Sequence, residues 1–294
     1  MRVRVPKSAQ RLLALIANRF TPAVAVGSVI WAAYLRDLAL MIIKLTEGVT
    51  AELAAGPHVE YRTRFDLGDL SVRAVAGADD ALVGSLGPLA GPDDVMLFAS
   101  DTGALADALC FTGDPGTDAA RDLTPWLDAV PVEGVLRLKE PHDFHLPHVE
   151  DRQYTADGSV VGYFLADAPA RPTDPARARI APGVDLLVEG DRHVGWAVIE
   201  PERYLSDLTR PPWPSAMNAS ADPELGTLVA RYFDLIRSDG ETLERLQDQD
   251  PRIFAGLREL RGQLNEVSDA YGRRGVLQLR VDQALDFYFG WPDG

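Results

Sequence analysis

The chain has 294 residues, a formal net charge of −15 and a single cysteine. Apolar residues make up 46% and charged residues 25%, the proportions of a globular protein with a substantial core, which argues against wholesale disorder. One cysteine cannot form an intrachain disulfide or a cysteine-rich zinc module. It suits a reducing compartment, so we expect a cytoplasmic location.

The charge is distributed unevenly along the sequence. The first 36 residues carry six basic side chains and no acidic one, whereas residues 51–294 carry 22 basic and 42 acidic side chains, a net charge of −20. Proteins bind nucleic acids largely by neutralising phosphates, which such an acidic body repels. The sequence therefore predicts no nucleic-acid binding. Only the basic N-terminus is a candidate for binding an anionic membrane.

An uncharged stretch of 16 residues, Phe20 to Leu35, follows the basic leader. It is shorter than the roughly 20 residues that cross a bilayer, and extending it takes in Arg36 and Asp37, each costing about 2.5–3.5 kcal/mol at the centre of a membrane helix. A secretory signal is disfavoured because no small-residue cleavage site follows promptly. We predict a mostly buried amphipathic helix that continues to about Ala55, with a membrane-surface helix as the alternative.

After Gly56 the apolar pattern changes to a period of two, which predicts an antiparallel hairpin with its turn at residues 66–69. Further elements are predicted up to residue 207: helices at about 79–86, 101–109 and 118–130, and strands at 95–99, 134–138, 160–165, 184–188 and 194–199. A turn from Glu189 to Arg192 joins the last two strands. This mixture predicts an α+β fold with a mainly antiparallel sheet and short helices.

Two proline-rich stretches, residues 167–183 and 208–222, predict extended linkers. Beyond the second, Asp222 and Asp250 each precede a proline, the pattern of an N-cap acid followed by the first helical residue. Apolar residues at 253, 257, 260, 264, 267 and 271 then form one stripe. We expect this stripe to pack on its own domain, with an intermolecular coiled coil as the alternative.

The predicted organisation therefore has three parts. An N-terminal helical segment spans residues 1–56, an α+β sheet domain spans 57–207, and a C-terminal helical subdomain spans 208–294.

Three of the five histidines lie within seven residues, at His142, His145 and His148. Imidazoles with nearby carboxylates suit a transition metal and would allow a metal-dependent hydrolase. On a strand His145 points away from the other two, and Pro147 disfavours a helix, so only a loop could bring all three together. The simpler interpretation is a solvated loop that holds no cofactor.

Other catalytic signatures are incomplete. The segment from Gly84 to Gly87 has the wrong glycine register for a nucleophile elbow. The glycine-bearing segment at residues 112–118 is too acidic to hold phosphate. Cys110 lies in an apolar segment with no basic neighbour, which is typical of a buried structural cysteine. The sequence therefore leans away from an enzyme.

Large aromatic side chains indicate a binding role instead. Trp213 lies among prolines, and the tail from Phe287 to Trp291 holds four aromatic residues, most of which we expect to close the core with Trp291 exposed. Exposed aromatics anchor protein interfaces, so Trp31, Trp213 and Trp291 are candidate partner-binding residues.

These aromatics and the strong acidity favour a non-catalytic interaction module: an adaptor, inhibitor or assembly component that binds a protein partner or a second copy of itself. The alternatives are the metal-dependent hydrolase and a peripheral membrane protein. The latter would attach through residues 1–45 to the inner face of a membrane. Nothing in the sequence identifies a small-molecule ligand.

Overall fold

The computed structural model describes residues 41–54, 61–67, 72–76, 82–84, 95–110, 121–147, 149–206, 220–236, 240–265 and 272–290. Their strands, in chain order, are β1 (Met41–Thr46), β2 (Val49–Ala54), β3 (Tyr61–Asp66), β4 (Val72–Ala76), β5 (Leu82–Gly84), β6 (Val95–Ala99), β7 (Leu105–Cys110), β8 (Val132–Glu133), β9 (Val135–Leu138), β10 (Val149–Tyr154), β11 (Val160–Leu165), β12 (Pro175–Ala181), β13 (Val184–Glu189), β14 (Arg192–Ile199) and β15 (Leu205–Ser206).

The helices of the described residues are α1 (Thr124–Leu127), α2 (Pro223–Leu235), α3 (Gly240–Gln247), α4 (Pro251–Asn265) and α5 (Arg273–Phe289), and a 3-10 turn covers Pro201–Tyr204. Four of these five helices follow the last strand. The fold is α+β, as the sequence predicts.

The strands form two sheets. The nine-stranded sheet has the order β8-β12-β13-β14-β1-β2-β9, and β11 pairs with both β14 and β10. The six-stranded sheet has the order β15-β3-β4-β7-β6-β5. Most neighbours are antiparallel; the exceptions are β1 with β14, β8 with β12, and β3 with β15.

The main core combines side chains from both sheets with the apolar faces of the C-terminal helices. Strand β11 is buried on both faces: Val161 and Tyr163 enter the main core, whereas Val160 and Phe164 join a second cluster around Trp126 of α1. The short α1 therefore covers the outer face of the sheet at its centre.

Several predicted elements are confirmed. Strands β3 and β4 form the predicted hairpin, and β6, β9, β11, β13 and β14 lie at or within two residues of their predicted positions. Helix α2 begins as predicted, with the Leu225 amide donating to Asp222 Oδ1 at 3.0 Å. At α4, the Arg252 amide donates to Asp250 Oδ1 at 2.7 Å.

The helix predicted to run to Ala55 is wrong over residues 41–54, which form the antiparallel pair β1 and β2. Along β1, Ile43 and Leu45 are buried while Ile42 and Lys44 are exposed. That alternation suits a strand, and β1 gains backbone partners from both β2 and β14. A run rich in apolar residues fits either period, so the available sheet edges decide the outcome.

The helix predicted at 101–109 is also wrong, because residues 105–110 form β7 between β4 and β6. Gly103 (φ +65) turns the chain there, and its amide donates to the Ala99 carbonyl at 2.8 Å. Residues 82–84 are a strand instead of a helix, and the helix predicted at 118–130 covers only Thr124–Leu127 of the described residues.

The first predicted linker, residues 167–183, contains β12. Pro175 is the first residue of that strand, a position where proline is tolerated. The second predicted linker lies mostly outside the described residues.

None of the helices in the described part of the chain has the length and hydrophobicity of a membrane-spanning segment.

Helix α4 buries the predicted stripe as far as the structure describes it, through Ile253, Leu257, Leu260 and Leu264. These side chains belong to the main core, and α4 lies against α5 and α2. The stripe therefore packs within its own chain, as predicted. Residues 267 and 271 of the stripe lie outside the described residues.

Candidate interaction surface at the C-terminal end of helix α5

Aromatic side chains cluster at the last turn of α5. Phe287 is 81% exposed, and its ring meets that of Tyr288 edge-on, at 4.9 Å between centroids and an interplanar angle of 89°. Phe289 packs on Phe254 of α4 at 5.1 Å. Tyr288, Phe289 and Phe254 are partly buried against the main core. We call Phe254, Phe287, Tyr288 and Phe289 the C-terminal aromatic surface.

Helix geometry explains why Phe287 faces outward. Consecutive helical residues are about 100° apart, so three consecutive aromatic side chains cannot all face the core. Val281 and Leu285 are fully buried, and Tyr288 follows them on the same side at helical spacing. Phe287 lies off that stripe. The helix ends at Gly290 (φ +60), whose amide donates to the Asp286 carbonyl at 2.9 Å.

The electrostatics of this end favour positive charge. A helix C-terminus carries a partial negative charge that basic side chains usually offset, but the last turn of α5 contains no basic residue. Asp286 adds an exposed carboxylate. On the neighbouring helix, the Arg258 guanidinium lies over the Phe254 ring at 5.8 Å from its centroid, so one ring of the surface already contacts a cation.

Ion pairs hold α5 in place along its length. Arg280 Nη2 donates to Asp66 Oδ1 of β3 at 3.1 Å, and Asp66 is only 3% exposed. The Nε of Arg261 in α4 donates to Asp282 Oδ1 at 2.5 Å. The Arg280–Asp66 pair resists separation, because removing one partner leaves an uncompensated charge in the interior, whereas the partly exposed Arg261–Asp282 pair contributes less. The helix is therefore tied to a strand and to a second helix.

Two buried arginines begin α5. Arg274 Nη2 contacts Asp222 at 3.1 Å and Glu224 at 2.9 Å, while Arg273 donates to the carbonyls of Glu202 and Ser220 at 3.1 and 3.2 Å. Positive side chains are unfavourable at a helix N-terminus; the acids at the start of α2 compensate Arg274, and two carbonyl groups accept hydrogen bonds from Arg273. This cluster joins the starts of α2 and α5 to the 3-10 turn.

Glu202 is the most deeply buried acid of this cluster, at 2% exposure. Its Oε1 accepts the Asp222 amide at 3.2 Å, and its Oε2 has no hydrogen-bond partner among the described residues. Burial raises the pKa of Glu202, and the Asp222 amide opposes this. Its side chain and its carbonyl connect the 3-10 turn to the starts of α2 and α5.

A second buried acid lies in the nine-stranded sheet. Asp185 is fully buried and accepts two hydrogen bonds from Arg179, at 2.8 and 3.2 Å. Arg177 Nη1 lies 3.3 Å from the same carboxylate, and burial lowers the pKa of Arg177. These charges satisfy one another across β12 and β13.

His193 of β14 is a buried histidine with little polar contact. It is 2% exposed, and its ring lies edge-on to Trp196 at 5.5 Å. Neither ring nitrogen has a hydrogen-bond partner among the described residues. Burial lowers the pKa of His193 to about 4, and the nearby Gly195 backbone opposes this only in part. The ring is therefore neutral inside the core at physiological pH.

The histidine cluster predicted as a metal site is only partly described. His142 and His145 are exposed in the segment between β9 and β10, and His142 Nδ1 lies 2.7 Å from the Glu140 carbonyl oxygen. His148 lies outside the described residues. Within the described ranges, no group of three or more His, Cys, Asp or Glu side chains is arranged to hold a metal ion. The three-histidine site stays a prediction.

The predicted partner-binding residues Trp31, Trp213 and Trp291 all lie outside the described residues. Cys110 is fully buried, as the sequence predicts. The sequence predicts that most aromatic residues of the tail close the core; Tyr288 and Phe289 are partly buried there, but Phe287 is exposed. Its position off the stripe of α5 was a usable signal for this exposure.

No protein-family model matches the sequence, and comparisons with curated proteins and with solved structures found no match either. Function is therefore inferred from the chemistry of the described residues.

Proposed function

We propose that this protein is a non-catalytic interaction module that binds a protein partner through the C-terminal aromatic surface. Its role would be that of an adaptor, inhibitor or assembly component. The observation that carries the proposal is the 81% exposure of Phe287 on a helix that ion pairs hold on both sides. Covering such a side chain is worth about 1.5–3 kcal/mol.

The rigidity of α5 supports this role. Association costs free energy when interface side chains and loops must first be ordered, so a pre-positioned aromatic residue loses less on binding. The edge-on contact with Tyr288 further restricts the Phe287 ring. Aromatic and arginine side chains are also the residues that most often dominate binding energy, and Arg258 borders the surface at Phe254.

A paired-bait experiment tests the proposal. Wild-type protein, Phe287→Ala and Val130→Ser are used as baits under gentle salt, and retained proteins are quantified by mass spectrometry. Val130 is a matched control, because it is also an apolar side chain at 81% exposure but lies between α1 and β8. We expect a partner that wild type and Val130→Ser retain and Phe287→Ala loses.

The partner is then purified and its affinity measured by calorimetry. Phe287→Ala should weaken it by about fivefold or more, as for an interface residue worth over about 1 kcal/mol. Sedimentation of the wild-type protein alone identifies the case in which the partner is a second copy. Equal retention and equal affinity of all three proteins would refute the proposed function.

A further inference from the structure

We infer that the segment bound at the C-terminal aromatic surface is basic, and that one of its lysine or arginine side chains lies against Phe287 and Tyr288 beside the end of α5. This inference rests on the proposed function and specifies the chemistry of the partner. It is carried by the ring geometry together with the charge of the helix end.

The two rings form a right-angled corner. Their interplanar angle is 89° and their centroids are 4.9 Å apart, so a group in the corner meets two aromatic walls at once. Aromatic faces attract cations placed within about 6 Å of the ring centroid. The same surface shows such a contact, because Arg258 occupies this position over Phe254 at 5.8 Å.

The helix end adds negative potential at the same place. The last carbonyl groups of a helix lack intrahelical partners and attract cations. No basic side chain of α5 lies in its last turn to offset them, and Asp286 is exposed directly before Phe287. The net charge of −20 over residues 51–294 attracts a basic segment from a distance.

Other partner chemistries fit this surface less well. A purely apolar segment would cover Phe287 but would remove water from Asp286 and the helix carbonyls without replacing their hydrogen bonds. An acidic segment could pair with Arg258 at Phe254, but it would meet the like charge of Asp286 and of the end of α5. A basic segment provides a cation both for the aromatic faces and for the partial negative charge at the end of α5.

Two defined peptides test the inference: a short amphipathic peptide of leucine and lysine, and the same peptide with glutamine in place of lysine. Affinities are measured by fluorescence anisotropy at physiological salt. Wild-type protein should bind the lysine peptide more tightly than the glutamine peptide. Phe287→Leu keeps an apolar side chain but removes the ring, so the lysine-to-glutamine affinity ratio should fall roughly twofold to fivefold.

Asp286→Asn should lower the same ratio by a similar factor, because it removes a negative charge from the helix end. Asp101→Asn is the matched control for general attraction by the acidic body, since Asp101 is also exposed but lies in the turn between β6 and β7. It should leave the ratio within experimental error. Thermal unfolding of each variant confirms that the fold is retained.

The outcomes separate the two proposals. If Phe287→Leu and Asp286→Asn keep the wild-type ratio while Phe287→Ala weakens the natural partner, the surface binds apolar groups only; the inference is overturned and the proposed function stands. If Asp101→Asn lowers the ratio as much as Asp286→Asn, the attraction is non-specific and the inference is also overturned. Loss of the proposed function requires the separate result that Phe287→Ala retains every partner.

Discussion

Protonation of His193 should destabilise the fold between about pH 6.5 and pH 4. The ring is 2% exposed and its nitrogens have no hydrogen-bond partner among the described residues, so the charged form would lose its hydration without compensation. The pKa of about 4 in the folded protein lies below the usual value of 6.5. As the pH falls, the unfolded chain therefore binds the proton first, and stability is lost in that window.

The size of the effect follows from the same difference in pKa. Each pKa unit corresponds to about 1.36 kcal/mol, so the unfolding free energy should fall by about 3 kcal/mol between neutral pH and pH 4 through His193 alone. Carboxylates also titrate in this range. Their contribution to the pH dependence cancels when wild type is compared with a variant that lacks only the buried imidazole.

The assay is urea unfolding of wild type, His193→Leu and His142→Gln at a series of pH values. The difference in unfolding free energy between His193→Leu and wild type is measured first at neutral pH. On acidification to about pH 4 this difference should change by about 3 kcal/mol in favour of the variant. The exposed His142 is the matched control, and its substitution should leave the wild-type pH dependence unchanged. Parallel curves for wild type and His193→Leu would show that the buried ring does not govern acid stability.

Two further pairs of substitutions test the packing of charges and of backbone. Asp185→Asn leaves two arginines facing a neutral side chain in the sheet and should lower the unfolding free energy by about 3–5 kcal/mol in urea unfolding. Asp191→Asn breaks an exposed ion pair and should cost less than about 1 kcal/mol. Equal losses for the two variants would contradict the role of burial. Gly158→Ala places a Cβ 1.9 Å from the Gly226 carbonyl oxygen at φ +70 and should lower stability by roughly 2–4 kcal/mol. Gly48 has a similar φ of +75, but a Cβ added there has no neighbour within 4 Å, so Gly48→Ala should cost only about 1–2 kcal/mol. Equal losses for the two variants would show that backbone strain, and not the contact with Gly226, accounts for the effect at Gly158.

Local sequence signals were most reliable where the chemistry is itself local. The Asp-Pro pairs at residues 222 and 250 mark helix starts because the carboxylate accepts a nearby amide, whatever lies elsewhere in the fold. Turn residues such as Gly190 (φ +67) identified the hairpin of β13 and β14 for the same reason. These predictions needed no knowledge of distant partners.

Errors occurred where distant strands supplied the partners. The segment Leu105–Cys110 is rich in alanine and leucine, which favour helix, yet it lies between β4 and β6 and is buried on both faces. Residues 41–54 likewise gained hydrogen bonds from β9 and β14, which are far along the chain. Helix propensity is weak compared with such long-range pairing.

The sequence by itself determined the α+β class, the hairpin of β3 and β4, the N-caps of α2 and α4 and the buried stripe of α4, because these depend on spacing and nearest neighbours. Only the tertiary structure decided which apolar runs became strands and which face of α5 was covered. Phe287, Tyr288 and Phe289 are all large aromatic residues in the sequence. Packing of α5 against α4 and the main core covers part of two of them and leaves Phe287 exposed, since a helix can turn only one face toward its neighbours.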